Sequence, residues 1–202
     1  MTQKLSDFVL FKQVVELIIN KKHLTIEGLY QIINIKASMN LGLSKVIRSN
    51  IIKINPVNKM IINTKNIPDP KWITGFTSGE GNFDINIHKS KNKIGFQVQL
   101  RFRIYQNERD IQLMKLLIKY FGAGKIEKQL EKQMVNLTIV KFSDIINIII
   151  PFFEKNYLHG VKQLDYLDWC KVANLMKSKK HHTPEGLELI YSIKSGINRS
   201  RK

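Results

Sequence analysis

The chain has 202 residues, 43% of them hydrophobic and 24% charged, with 33 Lys and Arg against 16 Asp and Glu. This is enough apolar material for a packed core and excludes general disorder. A formal charge of +17 points to a polyanion, DNA or RNA, as the partner.

The lone Cys170 excludes an intrachain disulfide and a cysteine-based zinc site, and reads as a helix-packing residue. No basic amphipathic helix with exposed large apolar residues suggests a membrane surface. The apolar run at 145–150 is far shorter than the roughly 20 residues of a membrane span and reads as core. No catalytic triad, phosphate loop or cofactor fingerprint indicates a small-molecule substrate. Ile, Asn and Lys are abundant, as in a gene built from A and T, which suggests an organellar genome and a mitochondrial location. No Arg-rich presequence opens the chain, so the protein is expected to be made in the organelle or cut from a longer precursor.

In chain order, the first predicted element is a helical hairpin over residues 1–48. It recurs: residues 7–40 and 165–198 align without a gap, with Val14, Leu17, Lys21, Lys22, His23, Thr25, Glu27, Gly28, Leu29, Ile32 and Ile35 matched by the same residue types. Each copy reads as a helix, a Lys-Lys-His turn and a second helix capped by Thr25 or Thr183, with Pro184 at a first helical position. His23 and His181 are expected at helix ends or on phosphates; His159 and His182 suggest no chemistry. Only six residues precede the first copy, whereas a long segment precedes the second. The chain is thus expected to hold the tail of one repeat, a linker over 49–70 made irregular by Pro56, Pro68 and Pro70, and a whole repeat over 71–202.

That repeat opens with a short helix, KWITGFTSGEG, in which Gly75 and Gly79 lie four apart and form a flat face for another helix. Phe83, Ile85 and Ile87 then alternate with Asn82, Asp84, Asn86 and His88, the period of a half-buried strand. In the next strand Phe96, Val98, Leu100, Phe102 and Ile104 interleave with Gln97, Gln99, Arg101, Arg103 and Tyr105. Gln and Arg suit bidentate contact with base edges in a major groove; the plain alternative is a solvated sheet face. A helix is predicted over 107–121, strands over 124–129 and 134–141, a helix from Ser143 that Pro151 stops or kinks, and the second hairpin. The fold class is α+β: αββαββα with an added helix, preceded by a hairpin.

WITGFTSGEGNF, together with the Lys-Lys-His-x-Thr-x-Glu-Gly-Leu hairpin and the phrase IIPFFEKNYLHGVKQLDYLDW, resembles the LAGLIDADG homing endonucleases, in the two-repeat, single-chain branch of fungal mitochondria. The resemblance implies a saddle of four antiparallel strands with helices on one face, lying in the DNA major groove. Two motif helices then pack at its centre, and each delivers a carboxylate to Mg²⁺. Glu80 matches one such acid, with a main-chain carbonyl near Gly79 as auxiliary ligand, and Gly75 and Gly79 match the helix contact. Asn82, Asp84, Asn86, His88, Gln97, Gln99, Arg101 and Arg103 take DNA-facing positions, Asp84 reading a base or repelling one; Lys125, Lys128 and Lys141 are placed on phosphates. No second motif exists in residues 1–69. Two functions remain open: half of an intron-encoded, Mg²⁺-dependent DNA endonuclease that needs a second LAGLIDADG polypeptide, or a metal-free relic that binds RNA as a maturase or as part of an organellar ribonucleoprotein.

Overall fold

A computed structural model describes residues 2–51, 53–62, 65–67, 69–198 and 201; of Leu130 only the backbone is described. The chain divides into two compact units, residues 1–64 and 65–202.

In the first unit α1 (Lys4–Ile19) and α2 (Ile26–Ser38) form a hairpin, followed by α3 (Lys45–Asn50). Residues 53–62 have no regular structure, as their proline and polar content predicts. They nevertheless belong to this unit rather than acting as a free linker. Asn55 N–H donates to Asn34, Ser38 Oγ to the Val57 carbonyl, and Gln3 both donates to and accepts from the Ile62 backbone. The boundary expected at 48 falls inside α3, and Pro68 lies outside the described residues.

The second unit runs α4 (Pro70–Glu80), β1 (Gly81–Lys89), β2 (Phe96–Asn107), α5 (Ile111–Phe121), β3 (Lys125–Gln129), β4 (Met134–Ile139), α6 (Phe142–Asp144), α7 (Ile150–Lys155), α8 (Val161–Lys177) and α9 (Pro184–Ser195). The strands form one antiparallel sheet in the order β1-β2-β4-β3. Phe83, Ile85, Val98, Leu100, Phe102, Ile104, Val135, Leu137 and Ile139 project from one face into the core. There they meet Ile73 of α4, Leu113 and Leu117 of α5, Phe153 of α7 and Trp169 of α8. The strand period thus separates an apolar face that the helices cover from a polar face that they leave open. The predicted order αββαββα is the order observed.

Three boundaries differ from expectation. β2 continues to Asn107, whose side chain accepts from Arg109 N–H and starts a single 3₁₀ turn before α5, so the helix begins at Ile111. β4 ends at Ile139, because Val140 and Lys141 turn into α6. Pro151 neither stops nor breaks the helical path. A π-helical stretch, Ile145–Ile149, immediately precedes it, and the wider turn relieves the clash that a proline makes with the carbonyl four residues back.

The repeat is as regular in space as in sequence. Lys21 and Lys179 both adopt left-handed backbone conformations, and Thr25 and Thr183 accept from Gly28 and Gly186 N–H at 3.1 Å. A Cβ on either glycine would lie 1.9 Å from the carbonyl oxygen of Lys22 or Lys180. Asp7 accepts from Asn40 N–H and Asp165 from Asn198 N–H, each at 3.0 Å. The copies differ in what covers them. Tyr166 and Trp169 are 3% and 0% exposed, whereas their counterparts Phe8 and Phe11 are 55% and 52% exposed.

Candidate nucleic-acid interface and motif carboxylate

Asp69 caps α4 by accepting from Lys71 N–H, and Pro70 supplies a preset first turn. Ile73, Thr74 and Thr77 face inward, while Trp72 stacks on Phe76 with ring centroids 4.8 Å apart. Gly75 and Gly79 lie on the opposite, exposed side, where an added Cβ would meet nothing within 4 Å. Gly81 is different. Its Cβ would lie 2.5 Å from Thr77 Cγ2, so the step from helix into β1 requires glycine there. This tight step places Glu80 at the last helical position, directly before the edge strand β1.

Glu80 lines a cavity of about 1000 Å³ with Ser78, Gly79, Asn82, Asp84, Tyr105, His159, Lys162, Asp165, Lys194 and Asn198. Six of these carry no site signal in the sequence: Ser78, Tyr105, Lys162, Asp165, Lys194 and Asn198. His159, to which no chemistry was assigned, also borders the cavity. Carboxylate and carbonyl oxygens are the donors that hard divalent cations take. Among the described residues, no group of three His, Cys, Asp or Glu is placed to hold a metal ion. Glu80 therefore fits one side of an oxygen-ligated site and does not complete it.

The polar face of the sheet follows from register. Asn82, Asp84, Asn86 and His88 stand opposite Arg103, Arg101, Gln99 and Gln97. On the other side of β2, Arg103 and Tyr105 stand opposite Thr138 and Asn136, which in turn face Lys125 and Glu127. All eight polar strand residues expected to face DNA on β1 and β2 thus share one face, and Lys125 joins them. Asp84 pairs with both Arg101 and Arg103. Lys125 bonds Glu127 at 2.9 Å, and Thr138 and Asn136 donate to the same carboxylate. The Lys125 ammonium, helped by the Thr138 hydroxyl and the Arg103 charge, holds Glu127 below the usual carboxylate range against the opposing effect of burial.

Two expected phosphate contacts lie elsewhere. Lys128 stands opposite Val135, in register with the helix-covered face, and its ammonium bonds Glu108 at 2.7 Å. Its position in the alternation reverses the expected side. Lys141 has left the sheet and lies 3.7 Å from Asp144 at the start of α6.

The hairpin α8/α9 fixes the edge strand. Trp169 Nε1 donates to the Asp84 carbonyl at 3.1 Å and Asn198 Nδ2 to the Phe83 carbonyl at 3.0 Å. Asn82 in turn donates to Asn198 at 3.3 Å. These bonds tie the backbone beneath the polar face to the core.

The model of the family described as LAGLIDADG endonuclease matches residues 73–173, from α4 through the sheet into α8. The chain belongs to this family. It is 53% identical over 191 residues to a probable intron-encoded endonuclease 3 of Neurospora crassa, covering 94% of this chain and 36% of that protein. It matches the I-SmaMI LAGLIDADG homing endonuclease bound to cleaved DNA with a TM-score of 0.94 at 46% identity, over 100% of this chain and 68% of that one. A further structure, of I-SmaMI bound to uncleaved DNA target in the presence of calcium ions, matches with a TM-score of 0.93 at 47% identity, over 98% and 68%. The chain therefore spans a little over a third of the Neurospora relative and two thirds of the solved enzyme.

Proposed function

We propose that the chain is one half of a site-specific, intron-encoded DNA endonuclease of mitochondrial origin, and that it cleaves only with a second LAGLIDADG half. The observation that carries this reading is the outer side of α4. Two helical glycines with open space above them weaken the helix, and close approach of a second motif helix gives that cost a use. Residues 1–48 read as the tail of the other half. Their exposed Phe8 and Phe11 correspond to Tyr166 and Trp169, which in the complete repeat pack on a sheet.

In this reading duplex DNA lies on the polar sheet face, where the Gln and Arg side chains meet base edges and Lys125 meets a phosphate. Glu80 and the Gly79 carbonyl would hold Mg²⁺ with a matching acid from the partner motif. The metal would activate water and stabilise the leaving oxygen. Lys162 and Lys194 line the same cavity and add positive charge where the scissile backbone would pass.

The test is a cleavage assay with the 202-residue chain, a polypeptide carrying a first LAGLIDADG repeat, a library of duplexes and Mg²⁺. Cleavage that needs both polypeptides and is lost on Glu80→Gln, with duplex binding retained, supports the reading. Recovery from the native source bound to RNA, with no cleavage that depends on Glu80, supports the RNA-binding relic instead.

A further inference from the structure

The two arginines of β2 appear equivalent in the sequence, one residue type two positions apart on the same face. Their surroundings differ. Arg101 uses its side edge on Asp84: Nε donates to Oδ2 at 2.7 Å and Nη2 lies 2.6 Å from the same oxygen. A guanidinium has five N–H donors in a rigid fork. Its outer end, Nη1 with the second hydrogen of Nη2, is therefore directed away from the carboxylate. Arg101 also stands one residue beyond Phe102, the last position of β2 opposite β4, so no β4 residue stands beside it in the sheet.

Arg103 is enclosed. It reaches the same Asp84 oxygen through Nη2, and its Nε is buried without a hydrogen-bond partner. Its guanidinium lies 5.8 Å from the Tyr105 ring centroid and pairs with Asp84, and Thr138 is its cross-strand neighbour on β4. The Arg103 side chain is 20% exposed against 27% for Arg101, and of the two it alone has both a ring and a β4 residue beside it.

We propose that Asp84 is a positioning residue that holds Arg101 side-on so that the free end of its guanidinium reads one guanine in the target duplex, and that Arg103 braces Asp84 without reading a base. The free end presents two parallel donors, the pattern that matches guanine O6 and N7 in the major groove. Asp84 has a second effect. Its negative charge opposes a phosphate at this point of the face, so a backbone oxygen is disfavoured where a base edge is accepted. This assignment rests on the DNA-binding reading of the polar face.

The experiment is selection of duplexes from a randomised pool by the 202-residue chain at fixed salt, followed by titration against duplexes that differ at single base pairs. The unaltered chain should show a guanine preference at one position, about tenfold to hundredfold over the other bases. Arg101→Ala should remove that preference. Arg101→Lys, which keeps the charge but not the fork, should remove it with little loss of overall affinity. Asp84→Asn should reduce the preference while raising affinity for unselected duplex, and Asp84→Glu should restore part of it. Arg103→Lys should leave the preferred base unchanged. A guanine preference that survives Asp84→Asn, or that Arg103→Lys removes, overturns the assignment while leaving DNA binding in place. Failure of the unaltered chain to retain any duplex overturns the DNA reading and the assignment with it. Unfolding temperatures measured on every variant separate loss of fold from loss of reading.

Discussion

If α4 keeps Gly75 and Gly79 for a partner helix, replacing both with alanine should stabilise the isolated chain and disable the enzyme. Glycine inside a helix costs about 0.5–1 kcal/mol relative to alanine, because it surrenders more backbone freedom on folding. Gly75 is mid-helix and Gly79 is next to the last residue, so the pair should recover about 1–1.5 kcal/mol, most of it at Gly75. Neither new methyl meets an atom within 4 Å, so no packing strain opposes the gain. For a unit of this size, each kcal/mol is worth about 3 °C in unfolding temperature, and the double variant should melt about 3–5 °C higher. Both tryptophans, Trp72 and Trp169, lie in residues 65–202, so fluorescence follows that unit alone. In the two-polypeptide cleavage assay the same variant should lose nearly all activity, since two extra methyl groups hold the motif helices apart. A fall in melting temperature would refute the helix-propensity argument. A rise with cleavage intact would refute the partner helix.

Gly186→Ala should destabilise residues 65–202 by at least about 2 kcal/mol, because a Cβ 1.9 Å from the Lys180 carbonyl cannot be accepted without opening the turn; denaturant titration of the tryptophan signal measures it. Burial pushes the Cys170 thiol up to about 11, so it stays protonated and unreactive at pH 8. Iodoacetamide at that pH should modify it far more slowly in the native chain than in denaturant, and equal rates would contradict the burial. Lys125→Ala should weaken duplex binding and flatten its salt dependence by about one counterion, whereas Lys128→Ala should change neither, since Lys128 belongs to the other side of the sheet.

What the sequence could reveal depended on how local the cause was. The alternation in β1 and β2 is a local signal with a single physical meaning, and it placed all eight polar strand residues on one face. The hairpin repeat was readable because Gly28 and Gly186 answer the same steric demand in the same turn. Lys128 was misplaced because β3 is only five residues long and carries too few apolar positions to show which face is buried. The β2 stop at Asn107 depends on one side-chain bond, and the π-helical turn before Pro151 on the detailed path of a buried helix. The cavity around Glu80 was the least legible part. Its lysines and Asn198 come from α8 and the region around α9, more than 80 residues away in the chain, and no local pattern links them to the motif. The distinct roles of Arg101 and Arg103 likewise arise only when register sets Asp84 directly opposite one of them.

The two copies of the hairpin show what the fold requires of its sheet. Both have the same caps, the same left-handed lysine and the same aspartate-to-backbone bond, so local chemistry suffices to form the hairpin. It does not suffice to bury it. The core of residues 1–64 consists of Leu10, Ile35 and Met39 with a few partly buried neighbours, whereas the second copy adds Tyr166, Trp169, Val172, Ala173, Leu187 and Ile190 to the large core beneath the strands. A fully buried aromatic side chain contributes about 1.5–3 kcal/mol relative to an exposed one. Phe8 and Phe11, each about half exposed, thus together withhold about 1.5–3 kcal/mol, a modest but real fraction of a small domain's net stability. On the proposed two-half reading, these half-exposed aromatic side chains are the ones that strands supplied by a first LAGLIDADG repeat would cover. The first unit should accordingly exchange its amide hydrogens well before the second, and a polypeptide that supplies the strands should slow that exchange in α1 and α2 selectively.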